Sequence, residues 1–230
     1  MKTDKVLGQE VRDYLIMKGV ETPIKESKLN ETEKIELIRD NMEVVIDVLG
    51  LDREDDSIGG TADRVAKMYV KEICSGLSYN RFPKISVFDN KMNYNSMVIQ
   101  KDITFHSLCE HHFVNFNGMA QVAYIPNGKV IGLSKLNRIV NFFARRPQVQ
   151  ERLNEQIYYS LQYVLGTDDI AVLVEAEFSE DGNLSHMDKI KLDKLVDAKK
   201  ALILFNGKEI NYEDLEVIMS EMYENQAAAA

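Results

Sequence analysis

Apolar residues at helical spacing dominate the first third of the chain. Over 6–18, Val6, Val11, Leu15 and Ile16 fall roughly on one side, and Gly19 follows as a stop signal. Residues 22–29 are polar, include Pro23, and predict a linker. A second helix is predicted from Asn30 onward, with Ile35, Ile38, Met42, Val45, Ile46 and Leu49 at its apolar positions and Gly50 at its end. A third is predicted over 61–73, with Thr61 as its N-cap and Val65, Met68, Tyr69 and Ile73 facing inward.

The period then changes. Residues 97–105, 113–125 and 170–178 form the short alternating or apolar runs of strands, and 201–205 predicts one more. Between them, Ser134 is placed as the cap of a helix over 135–145. Pro147 ends that helix and opens the next, 148–165, with Gly166 just beyond. Residues 211–224 predict an acidic amphipathic helix, and 227–230 are a low-complexity Ala run. The order of helices, strand pair, two helices and a second strand pair predicts an α+β fold. The expected division is an N-terminal helical region over 1–55, a main domain over 56–226 and a tail over 227–230.

Composition narrows the function. The net charge of −9 argues against a general nucleic-acid binder, which needs surplus Lys and Arg, but leaves room for a local basic pocket. No apolar run approaches the roughly 20 residues of a membrane span, and Met1-Lys2-Thr3-Asp4-Lys5 is not the start of a signal peptide. Two cysteines, Cys74 and Cys109, do not make a disulfide scaffold, so a cytoplasmic protein is expected.

Three clusters carry candidate chemistry. In Cys109-Glu110-His111-His112, a thiolate and an imidazole three positions apart could reach one zinc ion, leaving His111 as an acid or base. The plainer reading is a half-buried cysteine beside two surface histidines. Lys135 and Arg138, with Ser134, lie in the first turns of a predicted helix, where backbone N–H groups favour an anion. Arg64 and Lys67 form a second cationic pair. Solvated helix charges would account for both. Glu151 could accept two hydrogen bonds from the N1–H and amino group of a guanine, or simply form a surface pair along its helix.

Taken together the motifs are far more specific. Ala66-Lys67-Met68-Tyr69-Val70, Phe82-Pro83-Lys84-Ile85, Cys109-Glu110-His111-His112-Phe113, Val122-Ala123-Tyr124-Ile125-Pro126, Gly132-Leu133-Ser134-Lys135 and 146–153 closely resemble GTP cyclohydrolase I over about 4–174. The resemblance implies the tunnelling fold, with antiparallel strand pairs assembled round a ring into a barrel. It also implies homodecamers with active sites at subunit borders. In the family reaction, water activated at zinc adds to C8 of GTP, the imidazole ring opens, formate leaves and dihydroneopterin triphosphate closes. By position, Cys109 and His112 would be zinc ligands and His111 an acid or base. Glu151, Gln150 and the backbone at Val149 would hold guanine, and Ser134, Lys135, Arg138, Arg64 and Lys67 would hold ribose and triphosphate.

The resemblance breaks in one place. Phe178 stands where the family has a second catalytic His, and Glu180 where it has the third zinc ligand, a Cys. The Arg-Gly segment that follows in the family is absent. Glu180 could ligate through oxygen, giving a Cys109-His112-Glu180 site; His106 and His186 are further candidates, and each of the three also reads as an exposed polar residue. Two functions are therefore expected as alternatives. One is a GTP-binding, ring-opening enzyme with weakened metal-dependent activity. The other is an inactive guanine- or pterin-nucleotide-binding subunit that co-assembles with or regulates a genuine cyclohydrolase.

Overall fold

The computed structural model describes residues 2–178, 202–205 and 208–210. It opens with α1 (Lys5–Lys18), capped by Asp4, whose side chain accepts from the Leu7 N–H, and closed by Gly19 in the left-handed region. Helix α2 (Glu31–Val48) begins with a capping box in which Asn30 and Glu33 satisfy each other's backbone N–H groups. Helix α3 (Thr61–Met68) runs into a π-helical turn, Tyr69–Ile73. Thr61 is its first helical residue rather than its cap. The buried positions of α3, which packs on α2, are Ala62 and Ala66; Val65, Met68, Tyr69 and Ile73 are half-buried.

A short pair, β1 (Val87–Asp89) with β4 (Lys129–Ile131), flanks the main sheet. That sheet comprises β2 (Val98–Cys109), β3 (Asn115–Tyr124), β5 (Pro147–Gln148), β6 (Ile170–Phe178), β7 (Leu202–Phe205) and β8 (Lys208–Ile210), in the order β5-β2-β3-β6-β7-β8. All neighbours are antiparallel except β5 on β2. Strand β2 reaches four residues further than its apolar run predicts, because Ser107, Leu108 and Cys109 are all buried against the helices' side of the sheet or its edge. A register shift between Gln100 and Ile103, with Asp102 at φ 55°, absorbs the charged residue in the middle.

Helix α4 (Leu133–Ala144) packs on β2, and α5 (Gln150–Leu165) on β6. Two boundaries differ from the pattern reading. Gly132 is the N-cap of α4 and Ser134 lies inside the first turn, without a capping hydrogen bond. Pro147 and Gln148 pair with β2 as β5, and α5 starts at Gln150 with Val149 as its cap. Ile139, Val140 and Phe143 of α4 and Leu153, Ile157 and Leu161 of α5 form one core with Ile103, Phe105, Phe116, Val122 and Val172 of the sheet. Val11 and Leu15 of α1 belong to that same core. At Gly118 on β3, an added Cβ would lie 2.3 Å from the Glu175 carbonyl oxygen and 2.5 Å from the Phe105 ring, so this crossing of β2, β3 and β6 admits glycine alone. No helix among the described residues is long and apolar enough to cross a membrane. Residues 211–224 and 227–230, read above as a helix and a tail, lie outside the described residues.

Candidate active site

The C-terminal end of β2 turns sharply into β3. Cys109 donates its N–H to the Val114 carbonyl at 2.8 Å and accepts from the Phe113 N–H at 2.9 Å, with Phe113 at φ 54°. This closed turn folds residue 112 back over residue 109. The buried Cys109 Sγ and the His112 Nδ1 stand 3.8 Å apart. Two ligands of a tetrahedral zinc ion at about 2.3 Å (sulfur) and about 2.0 Å (nitrogen) would be about 3.6 Å apart, so the pair fits that metal. Among the described residues no third His, Cys, Asp or Glu joins them; Glu180 and His186 lie outside the described residues. His106 does not turn toward the pair: its Nδ1 lies 2.6 Å from Asn117 Oδ1 across the strand.

Strand β5 brings the second cluster alongside. Gln148 lies opposite Cys109 in register, and its carbonyl accepts from the Glu110 N–H at 3.0 Å. Val149 and the first turn of α5, carrying Gln150 and Glu151, therefore start beside the Cys109–His112 turn. Gln150 is held there by a 2.8 Å bond from its Nε2 to the Val174 carbonyl of β6. Arg152 forks onto the Glu110 carboxylate through both terminal nitrogens, one at 3.3 Å from Oε1. Glu110 Oε1 in turn lies 4.0 Å from His111 Nε2, while the His111 ring is two-thirds exposed. The pattern reading missed the Glu110–Arg152 clamp, which ties the two clusters together; the pairing crosses 42 residues and no local spacing signals it.

Beneath this junction lies a second unforeseen feature. Arg146 is fully buried, paired with Glu21 at 3.2 Å, hydrogen-bonded to the Gly76 carbonyl and stacked about 5 Å from the rings of Tyr79, Phe142 and Phe143. Tyr79 donates to the other Glu21 oxygen. Burial pushes the Tyr79 hydroxyl's pKa well above its ordinary value, so it remains a donor. Nearby, Gln148 Nε2 donates to Gln156 Oε1 at 2.7 Å, and Gln156 to the Val20 carbonyl at 2.9 Å. The network locks the residue 20–22 segment under β5 and so fixes where α5 begins. Arg146 followed by Pro147 after Phe142-Phe143 was the available signal: a cation beside an aromatic pair where a helix must stop.

The register also sets the end of β6 level with this end of the sheet. Phe116 of β3 pairs with Ser107 on one side and with the backbone of Phe178 on the other, so Phe178 sits two strands over from the cysteine's end of β2.

The phosphate candidates lie elsewhere. Ser134 is exposed and Lys135 and Arg138 half-buried near the start of α4. From Lys135 to Ala144 the helix rises about 14 Å at 1.5 Å per residue, and the chain just beyond its end, Pro147 and Gln148, pairs with Leu108 and Cys109. Arg64 donates to Thr61 Oγ1 at 2.8 Å and Lys67 pairs with Asp63 at 2.6 Å; neither bonds to any other candidate.

A sequence model of the GTP cyclohydrolase I family matches residues 38–179, well over half of the chain. The chain belongs to the GTP cyclohydrolase I family. A GTP cyclohydrolase 1 of Aliivibrio fischeri (strain MJ11) is 56% identical over 166 residues, covering 72% of this chain and 76% of that protein. One of Aeromonas salmonicida (strain A449) is 55% identical over 173 residues, covering 74% and 79%. The α+β architecture with its largely antiparallel sheet is the one expected of this family.

Proposed function

We propose that this member of the GTP cyclohydrolase I family binds GTP and opens the imidazole ring of its guanine, yielding formate and dihydroneopterin triphosphate, with metal-dependent turnover weaker than that of its relatives. The observation that carries the reading is the 3.8 Å Cys109–His112 pair lying directly beside the first turn of α5. Cys109 and His112 would hold zinc, which supplies Lewis-acid activation of water. Glu151 accepts hydrogen bonds from the guanine N1–H and amino group, Gln150 and the Val149 backbone border the base, and His111 moves a proton at its exposed imidazole. Glu110, clamped by Arg152, positions the turn that carries His111. Ser134, Lys135 and Arg138 take ribose and phosphates, with Arg64 and Lys67 contributing from α3. The helix length separating Lys135 from the Cys109 turn supports a site shared between copies of the chain, in a homodecamer closed as a barrel.

Two residues argue for weakness. Phe178 carries no proton-transfer group where the family has a His. Glu180 offers an oxygen where the family has a thiolate, a harder ligand that shifts metal preference. Both favour a second reading, an inactive nucleotide-binding subunit that co-assembles with a genuine cyclohydrolase. Zinc analysis after dialysis and formate release from GTP, measured on the unmodified chain and on Glu180→Cys, separate the readings. Substoichiometric zinc and slow formate release, with zinc occupancy raised by Glu180→Cys but turnover not fully restored, support the first. Guanine-nucleotide binding with no formate from either protein supports the second. Stoichiometric zinc with brisk turnover in the unmodified chain would overturn the weakened-enzyme reading.

A further inference from the structure

The start of α4 borders a cavity of about 390 Å³ lined by Lys2, Lys84, Ser86, Lys135 and Arg138. Four of these five residues are cations and none is acidic, in a chain whose net charge is −9. Several cations elsewhere do find carboxylates: Arg53 takes Glu43 and Asp47, Lys67 takes Asp63, Arg81 takes Glu31. Among the described residues, none of the four cavity cations forms an ion pair. They come from three separate segments. The backbone holds two of them together: the Lys84 N–H donates to the Lys2 carbonyl at 3.0 Å, the Asp4 N–H to the Phe82 carbonyl at 2.8 Å, and Thr3 bridges to Pro83. The N-terminal arm is thus pinned so that Lys2 stands beside Lys84 rather than away from it. The third segment is α4, whose N-terminus has no side-chain cap. Like charges drawn together by backbone hydrogen bonds, around a cavity and beside the positive end of a twelve-residue helix, are a receptor for a polyanion.

We propose that Lys2 and Lys84 complete a polyphosphate subsite with Lys135 and Arg138 and make the protein select for the length of the phosphate chain. This rests on the phosphate assignment of Lys135 and Arg138 made above and adds the two lysines of the arm and the 82–84 segment. With four cations from three segments lining one cavity, a triphosphate can engage more of them at once than a monophosphate can.

The test titrates the full chain with inorganic tripolyphosphate, inorganic phosphate and guanosine by calorimetry, comparing the unmodified protein with K2A/K84A, K84R and K135A. Lys2 and Lys84 are exposed, so the variants should fold, which circular dichroism checks. Each charge-assisted contact removed is expected to weaken binding about tenfold or more. The expected result is a loss of at least about tenfold for tripolyphosphate in K2A/K84A, with a smaller loss for phosphate, unchanged guanosine affinity and retention in K84R. Equal tripolyphosphate affinity in the unmodified chain and K2A/K84A, or no tripolyphosphate binding by the unmodified chain, would overturn the proposal. Formate release from GTP is read separately: its absence while tripolyphosphate binding and its loss in K2A/K84A persist counts against the enzymatic reading and supports the subsite.

Discussion

At position 146 a guanidinium sits where solvent cannot reach it, matched by one carboxylate, one carbonyl and three aromatic faces. Breaking such a pair leaves the remaining charge buried and uncompensated, which costs about 3–5 kcal/mol. Arg146→Met is therefore expected to lower the urea midpoint strongly, and Glu21→Gln to lower it too, with the unfolding slope unchanged in both. Glu151 and Lys135 predict effects on ligands instead. Glu151→Ala is expected to weaken guanine-nucleotide binding by about 1–3 kcal/mol, the scale for leaving polar donors unpaired. Lys135→Ala is expected to weaken GTP more than guanosine, and equal losses would refute its phosphate role. The chemical types at 109, 111, 112, 135 and 151 were legible in the sequence. The role of Arg146 was not, because its partner Glu21 lies 125 positions away.

Among the elements, β3 shows how a single position limits the sheet. Gly118→Ala would drive a methyl into the Glu175 carbonyl and the Phe105 ring. Neither can retreat, since one is backbone and the other lies in the core. Destabilisation of about 2 kcal/mol is expected, within the range for overpacking, and thermal unfolding reads it directly. Helix α5 adds a pH dependence. Burial pushes the hydroxyl of Tyr158 up to about 12 from its ordinary 10.0. The folded state therefore holds this proton more tightly than the unfolded one. Its contribution is complete below pH 10 and is lost as pH rises toward 12. Urea midpoints should be flat to about pH 10 and then fall, with Tyr158→Phe flattening that fall. Periodicity marked α1 to α5 and the strands β2, β3, β6 and β7, but not the short strands β1, β4, β5 and β8, which hold two or three residues each and carry too little pattern to read. Nor did it mark the starts of α4 and α5, because Pro147 is recruited into a strand pair by β2 rather than into a helix by its own preference.

For the whole molecule, α2 poses the question of assembly. Its apolar spacing predicts a buried stripe, yet in the single chain only Ile46 is buried; Ile35, Ile38 and Met42 are half-buried, and Val45 and Leu49 at its end are exposed beside Val48 at 80%. A helix whose apolar C-terminal end stays exposed in the single chain favours a partner surface there. Together with the distance between the two halves of the site, this supports the homodecamer. Multi-angle light scattering is expected to give close to ten times the 26.3 kDa chain mass, and a monomer would refute it. Periodicity, residue chemistry and motif spacing determined that this chain is α+β and which residues could meet a metal, a guanine and a phosphate chain, and the resemblance to the family marked 178–180 as a departure; these are local properties that side-chain type and order suffice to specify. Tertiary structure alone decided that β5 seats the start of α5 against the Cys109 turn, that Glu110 and Arg152 clamp it, that Arg146 is a core residue, and that Lys2 and Lys135 line one cavity, because each depends on contacts between segments tens of residues apart that only the folded chain brings within reach.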